Sequence, residues 1–368
     1  MKRTHEPDYR LFGTVGVVLI FGLFMLSSAS TALAFERFGD SYYFIKRQLA
    51  FGLLVGLVAA WLLYHYDYRR LERWALPLFA CSLFLLVLVF VPSIGESYGT
   101  FAHRWLRLGP ISFQPSEFVK LAFLIYLASW LGRRHGKLAD FKEGFLPYAV
   151  ILGVVLGLIL LQPDIGTAAI VAMVAMGVYW LAGGPLRYLA LLLLGGVVAL
   201  VIIVQVKPHA AARLAAFVNP SADPQGIGYH INQAYLAIGS GGLLGRGFGQ
   251  SRAKFLYLPE VYGDSIFAVV GEELGFVLSL ALVAAFLYLC LRGFKVARSA
   301  SDEFGRLLAG GIVIWFTGQA FINISAMIGL LPLTGIPLPF VSYGSSALAI
   351  ALSAVGILAN ISTTTRET

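Results

Sequence analysis

The sequence predicts an all-α integral membrane protein: about ten transmembrane helices, with a large extracytoplasmic loop between the seventh and eighth. Three observations predict it. Mean hydropathy is +0.80 and only 12% of the 368 residues are charged, about half the share of a soluble domain. Long apolar runs recur from one end to the other, so 1–368 reads as a single polytopic membrane domain with no separate aqueous core. The basic residues gather in short segments between those runs, the pattern that orients membrane helices.

Runs able to cross roughly 30 Å of hydrocarbon at about 1.5 Å per residue lie at 11–34, 48–64, 75–94, 116–132, 145–162, 166–183, 186–206, 265–291, 307–330 and 345–362. The first ends in Ala32-Leu33-Ala34, which imitates a signal-peptidase site, but it is too long for a signal h-region and reads as a retained helix. The sixth and seventh are parted only by Gly183, Gly184, Pro185 and Leu186 and could instead form one re-entrant unit. Cys81 and Cys290 fall inside apolar runs as packing residues and suggest neither a disulfide framework nor a thiol metal site. With the N-terminus inside, the inner segments carry Arg69, Arg70 and Arg73, then Arg133, Arg134, Lys137 and Lys142, then Arg292, Lys295, Arg298 and Arg306. That density places both termini in the cytoplasm and the segment 207–264 outside. The net charge of +8 follows from these loops and does not point to nucleic acid.

The 207–264 loop contains HAAARLAAFVNP, SADPQGIGYH, the glycine-dense AIGSGGLLGRGFGQS and YLPE, short amphipathic pieces between flexible joints. Phe217, Tyr229, Tyr235, Leu236, Ile238, Phe248, Phe255 and Tyr257 are too many apolar residues for a solvated tether, so the loop is expected to fold back on the outer membrane face. Its glycines are not a phosphate-cradling loop: GGLLGRGFG lacks the GxxxxGK[ST] pattern and no strand precedes it.

Charges inside membrane segments cost at least ~2.5 kcal/mol on insertion scales and mark functional candidates. Three places qualify. In RWLRLGPISFQPSEFVK, Ser116 resembles an N-cap and Glu117 and Lys120 share one helix face. They form either a capped helix with a local ion pair or, with Arg104 and Arg107, a cationic rim suited to a phosphorylated ligand. Asp164 sits in a QPDIG turn, for which turn chemistry is the stronger reading. Asp264 precedes the eighth run as either a helix cap or a functional acid, while Glu272 and Glu273 lie about 12 to 14 Å deeper and need partners within the bundle.

Seven motifs in order resemble the SEDS family (shape, elongation, division and sporulation), the peptidoglycan polymerases of FtsW and RodA type. They are SSAS at 27–30, RWLRLGPISFQPSE at 104–117, QPDIGT at 162–167, AIGSGGLLGRGFGQS at 237–251, YLPE at 257–260, GDSIFAVVGEELG at 263–275 and TGIPLPFVSYGSSA at 334–347. The segment SSASTALAFERFGDSYYFIKRQ at 27–48 and the sixth motif look closer to the division branch, FtsW. Asp264 stands where the family's essential Asp does, with Tyr262, Gly263 and Ser265 in the places of His, Thr and Phe. The family's SYGGSS appears as SYGSSA, with Ser345 replacing a glycine.

The resemblance implies a lipid II substrate, a disaccharide-pentapeptide on undecaprenyl pyrophosphate. It implies Asp264 as general base on the acceptor's GlcNAc 4-hydroxyl, which attacks C1 of the donor MurNAc with inversion. Arg104, Glu117, Lys120, Glu260, Ser342 and Tyr343 are the expected substrate-binding set. A leaving pyrophosphate needs no strong acid, so one base plus Arg104, Lys120 or a divalent cation such as Mg2+ or Mn2+ would suffice, unlike the two carboxylates of glycosidases. No defined metal-ligand set is visible. A class B penicillin-binding protein is the implied partner. The alternatives are a lipid II flippase, which should keep its key charges near the midplane, and an idle scaffold that recruits a transpeptidase.

Overall fold

The computed structural model describes residues 6–91, 95–96, 104–108, 111–134 and 136–364. The side chains of residues 96, 107, 108, 111 and 209 lie outside this description, and with them the expectation for Arg107.

Helix α1 (Tyr9–Ala29) is capped by Asp8, whose carboxylate accepts the Leu11 N–H at 3.1 Å. It stops at Ser30, where α2 (Thr31–Phe38) begins, so the run expected as one helix is broken there. Next, α3 (Tyr43–Arg47) continues through a π-helical stretch into α4 (Val55–His65), and α5 (Leu71–Leu88) follows. Strands β1 (Gly95–Glu96), β2 (Trp105–Leu108) and β3 (Ile111–Phe113) form a small antiparallel sheet, with Leu106 opposite both Gly95 and Phe113. It is a minor departure from the all-α expectation, confined to a connection.

Helix α6 (Pro115–Gly132) starts on Pro115, whose missing N–H is harmless in a first turn. Its N-cap is Gln114, not Ser116, which is buried two positions further in with an unpartnered hydroxyl. Then come α7 (Leu146–Leu161), α8 (Ile165–Leu181), α9 (Leu186–Val206), α10 (Pro208–Val218), α11 (Tyr229–Gly241), α12 (Ile266–Ser299), α13 (Glu303–Met327) and α14 (Ser345–Ser362). Among the described residues eight helices are long and apolar enough to cross a membrane. The other two expected spans are also helices: α8 has 17 residues, and α6 carries Glu117 and Lys120. The sixth and seventh runs are separate helices, α8 and α9, rather than a re-entrant unit. Cys81 is exposed on the bundle surface, not packed within it.

Helix α13 is the axis, buried over most of its length against α6, α8 and α12, whereas α9 has Tyr188 as its one buried residue. Lipid tails are as apolar as leucine, so helices associate here through close approach of small residues. A Cβ added to Gly356 of α14 would lie 2.4 Å from the Ala60 carbonyl of α4. The loop from α9 to α12 is ordered by α10, α11 and a turn-rich return that packs against a break in α12. At that break Gly275 has φ 73° and ψ −172°, a backbone state open to glycine. There Phe276 N donates to Gly242 O (2.9 Å), Val277 N to Leu243 O (3.1 Å), Arg246 N to Glu272 O (3.0 Å) and Gly247 N to Glu273 O (2.9 Å). The loop thus takes over hydrogen bonds that the helix gives up. A Cβ on Gly275 would meet Gly245 N at 2.2 Å.

Candidate active site

Asp264 ends the loop and is 8% exposed. It does not cap α12: the N-cap is Ser265, and no side chain makes the capping bond. Its main chain is held from two sides. Asn323 of α13 donates to the Asp264 carbonyl at 2.8 Å and to Ile336 O at 2.7 Å. Ser342 Oγ donates to Gly263 O at 2.7 Å and accepts from Leu338 N at 2.8 Å, and Tyr343 N donates to Tyr262 O at 2.8 Å. The Ser342 hydroxyl is therefore committed to positioning the Asp264 turn, and the Tyr343 ring packs beside Tyr262 and Phe44.

The Asp264 carboxylate is held only from its own turn, by the N–H groups of Asp264 and Ser265. Ser265 Oγ lies 3.4 Å from Oδ1, but that hydroxyl has one proton and a shorter acceptor, Pro259 O at 2.8 Å. His230 Nε2 meets the same Oγ at 2.6 Å, as the donor if Ser265 gives its proton to Pro259. Burial pushes the Asp264 carboxyl up to about 6, with the nearby Arg213 guanidinium opposing that rise. Burial likewise pushes His230 down to about 4, so its imidazole is neutral. Glu260 reaches solvent at the edge of the site, yet the protein around it desolvates its carboxyl and, with the Asp264 charge, raises it above the usual range. Its φ of 48° is strained for a non-glycine residue.

Arg104 donates through Nε to Gln162 O at 3.0 Å and through a second nitrogen to Pro163 O, bracing the turn before α8. In that turn Asp164 caps α8, accepting Thr167 N at 3.1 Å and Thr167 Oγ1 at 2.9 Å, as turn chemistry suggested. Lys120 does not stand on a cationic rim. It is 5% exposed, paired with Glu117 at 2.8 Å, donates to Gln319 Oε1 at 3.1 Å and lies 5.1 Å from the Trp315 ring centroid. A cavity of about 20 Å³ beside this pair, lined also by Phe316, Leu338 and Ser342, has room for one water and none for a sugar.

Glu272 and Glu273 find the partners their depth demands in the loop. Glu272 accepts from Ser251 Oγ (2.6 Å), Arg252 N (3.0 Å) and Ala253 N (3.2 Å). Glu273 accepts from Ser28 Oγ (2.7 Å), Gly249 N (3.0 Å), Ser251 N (3.2 Å) and Lys254 Nζ (2.9 Å). Both are fully engaged in holding the glycine-rich segment to α12 and α1.

Comparison with known proteins decides the family. Its FtsW, RodA and SpoVE profile, described as cell cycle protein, matches residues 9–367. A probable peptidoglycan glycosyltransferase FtsW of Geobacter sp. strain M18 is 40% identical over 366 residues, covering 100% of this chain and 99% of that one. The stage V sporulation protein E of Bacillus subtilis is 39% identical, covering 98% of each. The chain belongs to the FtsW, RodA and SpoVE family. Solved folds of this family agree: a chain from work on a peptidoglycan synthase complex that coordinates polymerization and crosslinking superposes with TM-score 0.79 at 29% identity, covering 97% of both chains. The rod shape determining protein RodA of Thermus thermophilus gives TM-score 0.73 at 29% identity, covering 98% of both.

For this member of the family, sequence reading missed Arg213, His230 and Asn323 as neighbours of Asp264. Arg213 had a visible signal, a lone cation inside the alanine-rich HAAARLAAF helix. Asn323 had none, since a single polar residue in an apolar run reveals no partner. Among the described residues no group of three or more His, Cys, Asp or Glu side chains could by itself hold a metal ion.

Proposed function

We propose that this chain extends glycan strands from lipid II, with Asp264 as the general base. It is a peptidoglycan glycosyltransferase acting in cell division or cell shape and a multi-pass membrane protein, as its full-length likeness to FtsW and RodA carries. The observation that supports the role of Asp264 is a buried carboxylate that neither caps its helix nor is ion-paired, with a guanidinium nearby. A carboxyl near 6 is largely ionised at neutral pH yet basic enough to take a proton.

With the termini in the cytoplasm, Asp264 faces the outer side of the membrane. The acceptor's 4-hydroxyl gives its proton to Asp264 as its oxygen attacks C1 of the donor, and the C1–O bond breaks with its electron pair leaving on the pyrophosphate. Arg104 walls the site through the turn at Gln162 and Pro163, Glu260 orients its edge, and Glu117 and Lys120 brace α6 beneath it. Helix α9, exposed along nearly all its length, leaves the flank of the bundle open to a lipid chain. The relation to a synthase complex supports a class B penicillin-binding protein as partner.

Transport of lipid II would call for unsatisfied charges near the midplane. The deepest acids, Glu272 and Glu273, are occupied as loop anchors, which favours polymerisation. The test is purified protein with labelled lipid II, with and without its cognate transpeptidase, scored for glycan ladders. Headgroup translocation without ladders would favour transport.

A further inference from the structure

We propose that Arg213, carried on α10, is the cation that receives the leaving pyrophosphate. The inference deepens the reading above and rests on it.

Of the cations the sequence offered for this task, Arg104 is committed to two carbonyls and Lys120 to Glu117 and Gln319. Arg213 is in neither position. Its guanidinium has five N–H donors, and one of them makes a long bond, 3.4 Å, to Leu333 O. It is half-buried, ion-paired with no described residue, and stands in the field of Asp264, Asp164 and Arg104. Two guanidiniums and a base thus share one neighbourhood. A planar fork with spare donors suits phosphate oxygens better than a strongly hydrated ammonium.

The floor of this neighbourhood is Gly335. Its φ is 70°, and a Cβ placed on it would lie 3.7 and 3.8 Å from the Arg213 terminal nitrogens and 4.0 Å from Asp264 Oδ2. The base and the cation therefore flank one spot that is kept free of side chain. That is the layout the reaction needs. The proton moves to Asp264 on one side of C1, while on the other the breaking C1–O bond leaves an extra negative charge on a diphosphate oxygen. A cation aimed where charge develops raises turnover by roughly 10²-fold or more.

Arg213 is also placed to connect the two events. While empty it opposes the rise of the Asp264 carboxyl; an anion bound to it cancels that field and makes the base stronger as the donor arrives.

The experiment uses the full chain with three substitutions, Arg213→Gln, Arg213→Lys and Asp264→Asn. Two readouts are taken: turnover of labelled lipid II against pH, and direct binding of undecaprenyl pyrophosphate. Arg213→Gln should cut turnover roughly 100-fold, weaken undecaprenyl pyrophosphate binding about 10-fold or more, and move the acid limb of kcat/KM to higher pH. Arg213→Lys should keep the limb in place and recover part of the rate, because the charge remains while the fork is lost. Asp264→Asn should bind undecaprenyl pyrophosphate at least as tightly as the parent, since it removes a carboxylate charge from beside Arg213. Unchanged product binding in Arg213→Gln overturns the proposal, and so does a turnover loss matched by a lower melting temperature with the acid limb unmoved. Failure of the parent protein to polymerise would strike the functional reading instead, and the binding arm would still judge Arg213.

Discussion

Asp264 and the pair Glu272 and Glu273 are carboxylates of one short segment, all buried, and their surroundings differ in kind. The two glutamates accept hydrogen bonds from Ser28, from Ser251 and from the loop amides of residues 249, 251, 252 and 253, and Glu273 also holds the Lys254 ammonium. Asp264 has a long contact to a hydroxyl already committed elsewhere, and beyond that only the N–H groups of its own turn, Asp264 and Ser265, and the field of Arg213. Buried charges are tolerated when every lone pair is occupied and are costly otherwise. What sets the proposed base apart from the two glutamates is therefore not burial, which all three share, but how few partners from outside its own turn it has.

The comparison predicts opposite signs on removal. For Asp264→Asn, loss of a positioned base should lower polymerisation by roughly 10² to 10⁴-fold while the folded protein becomes more stable at neutral pH. An acid raised from 3.8 to about 6 by burial binds its proton more tightly folded than unfolded. Between those pH values stability therefore falls as pH rises, and above them the folded state carries the full penalty, roughly 3 kcal/mol. Glycan ladders and thermal unfolding in detergent measure both; a variant both inactive and less stable would break the comparison.

Glu273→Ala should act the other way. It strands the Lys254 ammonium and two loop amides, at a cost of about 3 to 5 kcal/mol, and unfolding at lower temperature checks it. If Glu273→Gln melted like the parent but made no glycan, the pair would belong to the chemistry after all. A milder lever is pH on the unaltered protein. Because the base must be ionised, kcat/KM should fall about tenfold per unit below about pH 6 and level off above it. A rate independent of pH across 5 to 7, tested as about two units around that point, would remove Asp264 as base.

The helices were legible because apolar runs long enough to span a bilayer leave few alternatives, and α6, α8 and α9 fall where the runs do. The break at Ser30 and the strands beside α5 were not, since neither interrupts hydropathy. Within the site, the chain order of motifs drew attention to Asp264 but could not say whether it caps α12. That depended on a non-local fact, the grip of Asn323 and Ser342 on the residues around it. At Lys120 the structure takes the other reading offered, a local ion pair with Glu117, over a rim with Arg104 and Arg107, because sequence spacing shows which face a lysine shares with Glu117, not that Gln319 and Trp315 wait on that face. Glu272 and Glu273 were expected to need partners, and those partners lay across a loop whose path only the fold reveals.

The smallest effect tests whether Asp264 acts alone. His230, Ser265 and Asp264 lie in a row that imitates a proton relay, with 2.6 Å between the first two groups and 3.4 Å between the last two. The hydroxyl's single proton favours Pro259 O at 2.8 Å, and burial keeps His230 neutral, with a value near 4 that makes it a poor proton store at neutral pH. Ser265→Ala should therefore cost about 1 to 2 kcal/mol of stability, from the orphaned carbonyl and imidazole, while turnover stays within a few-fold of the parent because the carboxylate loses only a weak contact. A loss as deep as that of Asp264→Asn would mean the row conducts protons, and the isolation that sets Asp264 apart from Glu272 and Glu273 would be incomplete.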